Sequence, residues 1–152
     1  MIALNRARLV FHGAVVLLLS LFCGLPLFLA VQRGWGEEAV AFWRSVHVGL
    51  AAVGVWSIAT GAVIGYLVLG KRDASALSWS VIVSNYAISV AILIRALAMS
   101  LDLDVGAFPL RTLVAGSRNI SAVAGFAAVI ITLRGASAAV RVAKGGASYA
   151  AV

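Results

Sequence analysis

The chain has 152 residues, of which 63% are hydrophobic and 11% are charged, and its mean hydropathy is +1.08. This composition excludes an ordinary soluble domain and predicts an integral membrane protein. The net charge of +7 does not indicate nucleic-acid binding, because the basic residues stand at the ends of apolar runs and form no stripe with interleaved aromatic residues. A single cysteine, Cys23, excludes an intrachain disulfide and a cysteine-rich metal site.

Four apolar runs are long enough to cross a bilayer, which takes about 20 residues for each helix. We therefore predict an all-α fold, an integral membrane four-helix bundle. One domain covers residues 1–134, and a flexible cytoplasmic tail covers residues 135–152. The predicted helices span about residues 9–31, 41–69, 76–99 and 112–133.

The charged residues predict how the helices are oriented. Basic residues cluster in segments 6–8, 71–72 and 134–144, whereas the loops that contain Glu37 and Asp102 are acidic. By the positive-inside rule, both termini then lie in the cytoplasm. We expect a multi-pass protein whose partners include the lipid bilayer and exclude nucleic acid.

His47, near the start of the second predicted helix, is the main candidate functional residue. It stands just inside an apolar run, where an unpaired polar group is strongly unfavourable. Small residues follow it at helical spacing, among them Gly54, Gly61 and Gly65. Such a face lets either a flat molecule or another helix backbone approach closely. The pattern predicts that His47 has a specific partner.

Arginines are predicted at the depth of His47. Arg95 near the outer end of the third helix and Arg118 in the outer part of the fourth should be level with it, and Arg44 stands one turn before it. An imidazole with several cations suits a haem, whose iron takes the imidazole and whose propionates bind cations. The alternative is that His47 is a hydrogen-bonded packing residue and that the arginines extend to lipid headgroups.

The first and third helices carry further polar residues. Asn85 and Tyr86 lie at mid-membrane, where an amide needs a specific partner. His12 is predicted close to the cytoplasmic interface, so that His12 and His47 are too far apart to bind one iron. Apart from Met99, a thioether near the outer surface, the other side of an iron on His47 would be open. An open position favours ligand binding or Lewis-acid chemistry over electron transfer.

Short motifs in the first two thirds of the chain resemble the styrene oxide isomerases, small bacterial membrane enzymes with four helices. The motifs are residues 6–13 ending in His12-Gly13, Leu21 to Gly24, Trp43 to His47, Lys71-Arg72 and Ser80 to Val83. The resemblance implies a homotrimer in the bacterial inner membrane that binds haem b, with His47 as the axial ligand. It also implies that ferric iron opens an apolar epoxide as a Lewis acid, and that a 1,2-hydride shift gives the aldehyde without net redox change.

Two positions depart from the family's pattern. The family has an asparagine about two turns beyond the axial histidine, where this chain has Val53, and its third-helix tyrosine is matched here by an aliphatic residue near Leu93. Asn85 stands where the family is expected to have an acidic residue. We assign Asn85 and Tyr86 as the residues that orient the substrate oxygen. The predicted cofactor-binding residues are His47, as the metal ligand, and Arg44, Arg95 and Arg118.

The leading prediction is therefore a haem-dependent membrane isomerase of epoxides. A cytochrome-like electron-transfer module or haem-binding accessory subunit would use the same histidine and arginines, and is the alternative. A third class is a structural membrane subunit without a cofactor, in which the glycine-rich face of the second helix only packs helices.

Overall fold

The computed structural model describes residues 2–104 and 106–149. Within these ranges the chain forms four long helices joined by short loops. They are α1 (Ile2–Gln32), α2 (Glu37–Val63, continued by a 3-10 turn Ile64–Tyr66), α3 (Lys71–Ser100) and α4 (Leu110–Tyr149). All four are long and apolar enough to span a membrane. The prediction of an all-helical chain with four membrane spans is confirmed.

The helices extend beyond their predicted bounds, most of all at the start of α1 and at the end of α4. α1 begins at Ile2 instead of near residue 9, so Arg6 and Arg8 lie within the helix. α4 continues through Tyr149, and residues 135–149 are therefore helical where a flexible tail was expected. This segment is rich in alanine, the residue with the highest helix propensity. Residues 150–152 of the expected tail lie outside the described residues.

The helices run antiparallel in sequence order. Gly24 of α1 lies against His47 of α2, and Leu9 lies against Gly61, so residue numbers rise along one helix as they fall along the other. α3 and α4 form a second antiparallel pair, joined by a hydrogen bond from the Ser84 hydroxyl. The start of α1 and the end of α4 therefore share one end of the bundle, which we call the N-terminal end. The other is the distal end.

The backbones of α1 and α2 touch where the two helices cross. A Cβ on Gly13 would lie 2.8 Å from the Gly54 carbonyl oxygen, and a Cβ on Gly54 would lie 2.9 Å from the Gly13 carbonyl oxygen. Close by, the Ser57 hydroxyl donates to the Leu9 carbonyl at 2.9 Å. Another helix backbone, and not a flat molecule, therefore occupies the small-residue face of α2 at Gly54 and Gly61.

α4 takes little part in the core and leaves large apolar side chains on the outside. Val123 is 73% exposed and Phe126 is 69% exposed. Such a surface suits lipid or another protein chain. The buried core is built mainly by the first three helices. Its two clusters are Leu9, Ile64, Leu77, Val81, Ile82 and Ala128 near the N-terminal end, and Val16, Cys23, Val46, Leu50 and Ala96 further along.

The glycine crossing predicts a steep steric penalty. Gly54→Ala places a methyl group within 3.0 Å of atoms of Leu17 and Gly13, and should destabilise the protein by about 1–3 kcal/mol, as overpacked cores do. The measurement is the thermal unfolding midpoint in detergent. Gly116→Ala is the matched control, because a Cβ there meets open space. A Gly54→Ala variant as stable as the wild type would contradict the close approach.

Candidate functional site

His47 turns towards α1 and exchanges hydrogen bonds with Ser20. Its Nδ1 lies 2.9 Å from the Ser20 carbonyl oxygen, and the Ser20 hydroxyl donates to the His47 carbonyl at 2.8 Å. A carbonyl oxygen only accepts, so Nδ1 carries the hydrogen and Nε2 has a free lone pair. No hydrogen bond within residues 2–104 and 106–149 uses Nε2. The ring is thus held in the tautomer that binds a metal ion through Nε2.

Gly24 makes room for this imidazole on the α1 side. A Cβ on Gly24 would lie 3.2 Å from Nδ1 and 3.4 Å from the adjacent ring carbon of His47. The half-buried ring therefore rests against the α1 backbone, one helical turn beyond Ser20. A side chain at residue 24 would push the ring away from the Ser20 carbonyl that fixes its tautomer.

Two of the predicted arginines lie together at the distal end. Arg95 and Arg118 line one cavity of about 310 Å³, which Arg111 also lines. None of its lining residues within the described chain is acidic. Arg95 also borders a smaller cavity against the α2 turn that precedes His47. The arrangement can hold an anionic group close to the start of α2.

Arg44 lies apart from the other two arginines. It lines a different cavity, of about 670 Å³, between the end of α1 and the start of α2. Ala30 of α1 and Glu37 of α2 line the same space. The predicted similarity in depth therefore did not bring Arg44 into the cavity that Arg95 and Arg118 share.

Asn85 is buried between α3 and α2. Its Nδ2 donates to the Val53 carbonyl at 3.2 Å, while its Oδ1 is buried without a hydrogen-bond partner among the described residues. One turn along α3, the buried hydroxyl of Ser89 also has no partner in the described chain. Buried polar atoms are nearly always paired. Both atoms therefore keep a hydrogen-bonding capacity that no described residue satisfies.

Tyr86 of α3 pairs with His12 of α1. The Tyr86 hydroxyl lies 2.9 Å from Nδ1 of His12, and the two rings meet edge to face at 5.6 Å. His12 lies beside the Gly13–Gly54 crossing, where the α1 and α2 backbones touch. Gly54 is seven residues from His47, about 10 Å along the helix axis, and this contact leaves no space beside His12 for a flat cofactor that both histidines could bind.

An apolar cavity of about 630 Å³ lies on the distal side of His47. Trp43, one helical turn before His47, forms part of its wall, and Leu25 and Pro26, which follow Gly24, form another part. Trp35 and Met99 line it towards the distal end. Aromatic and aliphatic walls of this kind accommodate an apolar or aromatic molecule.

The fold and these side chains define a polytopic membrane protein of four helices. One imidazole has an Nε2 that no described residue uses, and an apolar cavity lies beside it. A family model described as styrene oxide isomerase matches residues 5–137. The chain belongs to this family, and membership indicates an isomerase that acts on epoxides. Neither a curated protein nor a solved structure matches the chain.

Three residues of this region were absent from the predicted set of site residues. Ser20 is a serine in an otherwise apolar run, and such residues usually bond to a backbone carbonyl, so its own position gave no sign of His47. Gly24 occurred only as part of a family motif. Arg111 belongs to no motif, and the cavity that it shares with Arg95 depends on how α3 and α4 are rotated.

The buried amide allows a test that separates a structural role from a functional one. Asn85→Leu keeps the volume of the side chain and removes an unpaired buried oxygen, so the unfolding midpoint of the ligand-free protein should stay the same or rise. Ser84→Ala is the control: it removes a 2.9 Å bond to the Ser121 carbonyl and should lower stability by about 0.6 kcal/mol, an average value between membrane helices. A large loss in Asn85→Leu would show that Asn85 mainly supports the fold.

Proposed function

We propose that the protein is a haem b-dependent membrane isomerase that converts an apolar, aryl-type epoxide into a carbonyl compound. One C–O bond breaks, a hydride moves between neighbouring carbons and a C=O bond forms, with no net redox change. The observation that carries the proposal is the tautomer of His47, whose free Nε2 is available to a metal ion. The described residues contain no group of three metal-binding side chains, so an iron here would take its remaining ligands from a porphyrin.

The residues present fit such a cofactor. His47 would bind the iron, with its ring fixed by Ser20. Arg95 and Arg118 would bind the propionates, because guanidinium groups pair well with carboxylates and these two share a cavity. Arg44 is the weaker candidate, since it lines a separate cavity.

When bound, ferric haem supplies a Lewis acid for the epoxide oxygen. The chain supplies the surroundings of that reaction. Apolar side chains around the substrate would exclude water, which would otherwise trap a carbocation as a diol. The buried Oδ1 of Asn85 carries a partial negative charge and would stabilise a positive charge that develops near it.

The substrate-orienting roles belong to Asn85 and Tyr86. Asn85 brings an amide to the Val53 carbonyl, the point on α2 where the family's asparagine would stand. Tyr86 has a hydroxyl held by His12, and this phenol would donate to the substrate oxygen when His12 donates to the phenol. Both side chains lie on α3 about two turns from the level of His47.

A homotrimer in a bacterial inner membrane, with the N-terminal end in the cytoplasm, completes the proposal. Arg118 and Asn119 are exposed on the first half of α4, where contact with lipid would be unfavourable. A second copy of the chain would cover them. Basic residues at the N-terminal end support the proposed orientation.

The alternative, a cytochrome-like module, is favoured by one observation. Met99 lines the apolar cavity beside His47, and a thioether is a known second axial ligand of electron-transfer haems. Titration with cyanide or imidazole distinguishes the two functions. An open iron would bind the added ligand readily, whereas an iron already held by two protein ligands would resist it.

The cofactor assignment makes a direct prediction for His47. Purified protein should show a Soret absorption band, and His47→Ala should lose the band together with isomerase activity, because no other imidazole lies close enough to replace it. His12→Ala is the matched control and should keep the band. The measurement is the absorption spectrum before and after dithionite. A native preparation without haem would overturn the proposal.

The hydride shift predicts the fate of an isotope label. An epoxide that carries deuterium on the carbon from which the hydride leaves should give a carbonyl product that retains the deuterium in ordinary water. Retention follows because the hydride moves within one molecule in a cavity that excludes water. Mass spectrometry of the product provides the measurement. Loss of the label would show that the migrating hydrogen exchanges with water, which would contradict the proposed reaction.

A further inference from the structure

The loop between α2 and α3 is hydrogen-bonded to α4 at the N-terminal end of the bundle. The Val68 N–H donates to the Gly135 carbonyl at 3.2 Å. A Cβ on Gly135 would lie 2.7 Å from a methyl carbon of Leu69 and 3.1 Å from the Leu67 Cβ, so the loop packs closely against the α4 backbone. The loop and α4 therefore form one continuous surface.

A cavity of about 400 Å³ lies between the loop and α4. Arg134, Ser137 and Arg141 line it from α4. Because α4 stays helical past Arg141, residues 134 and 141 are separated by two turns and project from the same face. Asp73 is the single acidic residue of the lining in the described chain, so two guanidinium groups leave the cavity with net positive charge.

The cavity also has an apolar side. Val68, Leu69 and Leu133 line it together with the arginines, and Leu133 is the last large apolar residue before Arg134. The cavity therefore lies at the point where the apolar span of α4 ends and its basic segment begins. A free phosphate would use only the basic part, whereas a phospholipid would place its phosphate at the arginines and its acyl chain along the apolar residues.

We propose that this cavity binds the headgroup phosphate of an anionic phospholipid. Arg134 and Arg141 bind the phosphate oxygens by charge-assisted hydrogen bonds, and the Ser137 hydroxyl lies between them as a further donor. Basic pockets at the cytoplasmic ends of membrane helices recognise anionic lipids in this way. The proposal is independent of haem binding and of the isomerase reaction.

The test compares lipids added to the full-length protein in a neutral detergent. Phosphatidylglycerol should raise the thermal unfolding midpoint more than phosphatidylcholine at equal concentration, and native mass spectrometry should detect bound phosphatidylglycerol. The double variant Arg134→Gln/Arg141→Gln should bind this lipid about 25-fold more weakly, or about fivefold for each arginine lost. Arg72→Gln/Lys144→Gln removes the same charge outside the cavity and should bind as the wild type does.

Each further outcome bears on the proposal. Equal weakening in both double variants would overturn it, because the effect would then come from net charge. Equal stabilisation by inorganic phosphate at matched ionic strength would overturn the lipid assignment and leave a small-anion site. Stabilisation by phosphatidylglycerol that survives the loss of both arginines would place the lipid elsewhere.

Discussion

The direct contact between the α1 and α2 backbones at Gly13 and Gly54 is the constraint on which the site depends. Two turns of helix separate Gly54 from His47, so both residues project from one face of α2, and a crossing that presses Gly54 onto α1 also turns His47 towards Ser20. The same crossing leaves the neighbouring Val53 carbonyl available to α3. A wider crossing would loosen the contacts of the imidazole and of Asn85 together.

The four spans and the importance of His47 could be predicted from the sequence, because apolar length and an isolated imidazole are local features. The sequence could not predict what packs against the glycine face of α2, because small residues accommodate a flat molecule and another helix equally well. The partner of His12 could not be predicted either. Its bond to Tyr86 joins residues 74 positions apart, and no feature of the sequence near His12 indicates it.

The sequence also could not predict which arginines share a cavity. Because consecutive helices run in opposite directions, the position of a residue within its helix fixes its depth. Depth was enough to predict that Arg95 and Arg118 lie at the same level. Depth does not fix the direction in which a side chain points around its helix. For this reason Arg44, which was predicted beside Arg95 and Arg118, lines another cavity, and Arg111, which was not predicted there, lines theirs. Rotation about each helix axis depends on tertiary packing, which no single segment of the sequence records.

The partners that hold the site are neutral, and this has a chemical consequence. The Ser20 carbonyl accepts from His47, and the Val53 carbonyl accepts from Asn85, so neither anchor buries a charge in the membrane. A carboxylate beside a metal-binding imidazole would make that ligand more electron-rich. A carbonyl does so less, and an iron bound to His47 would keep more of its electron deficiency. The Ser20 carbonyl would therefore suit the proposed Lewis-acid role of an iron on His47 better than the stabilisation of higher oxidation states.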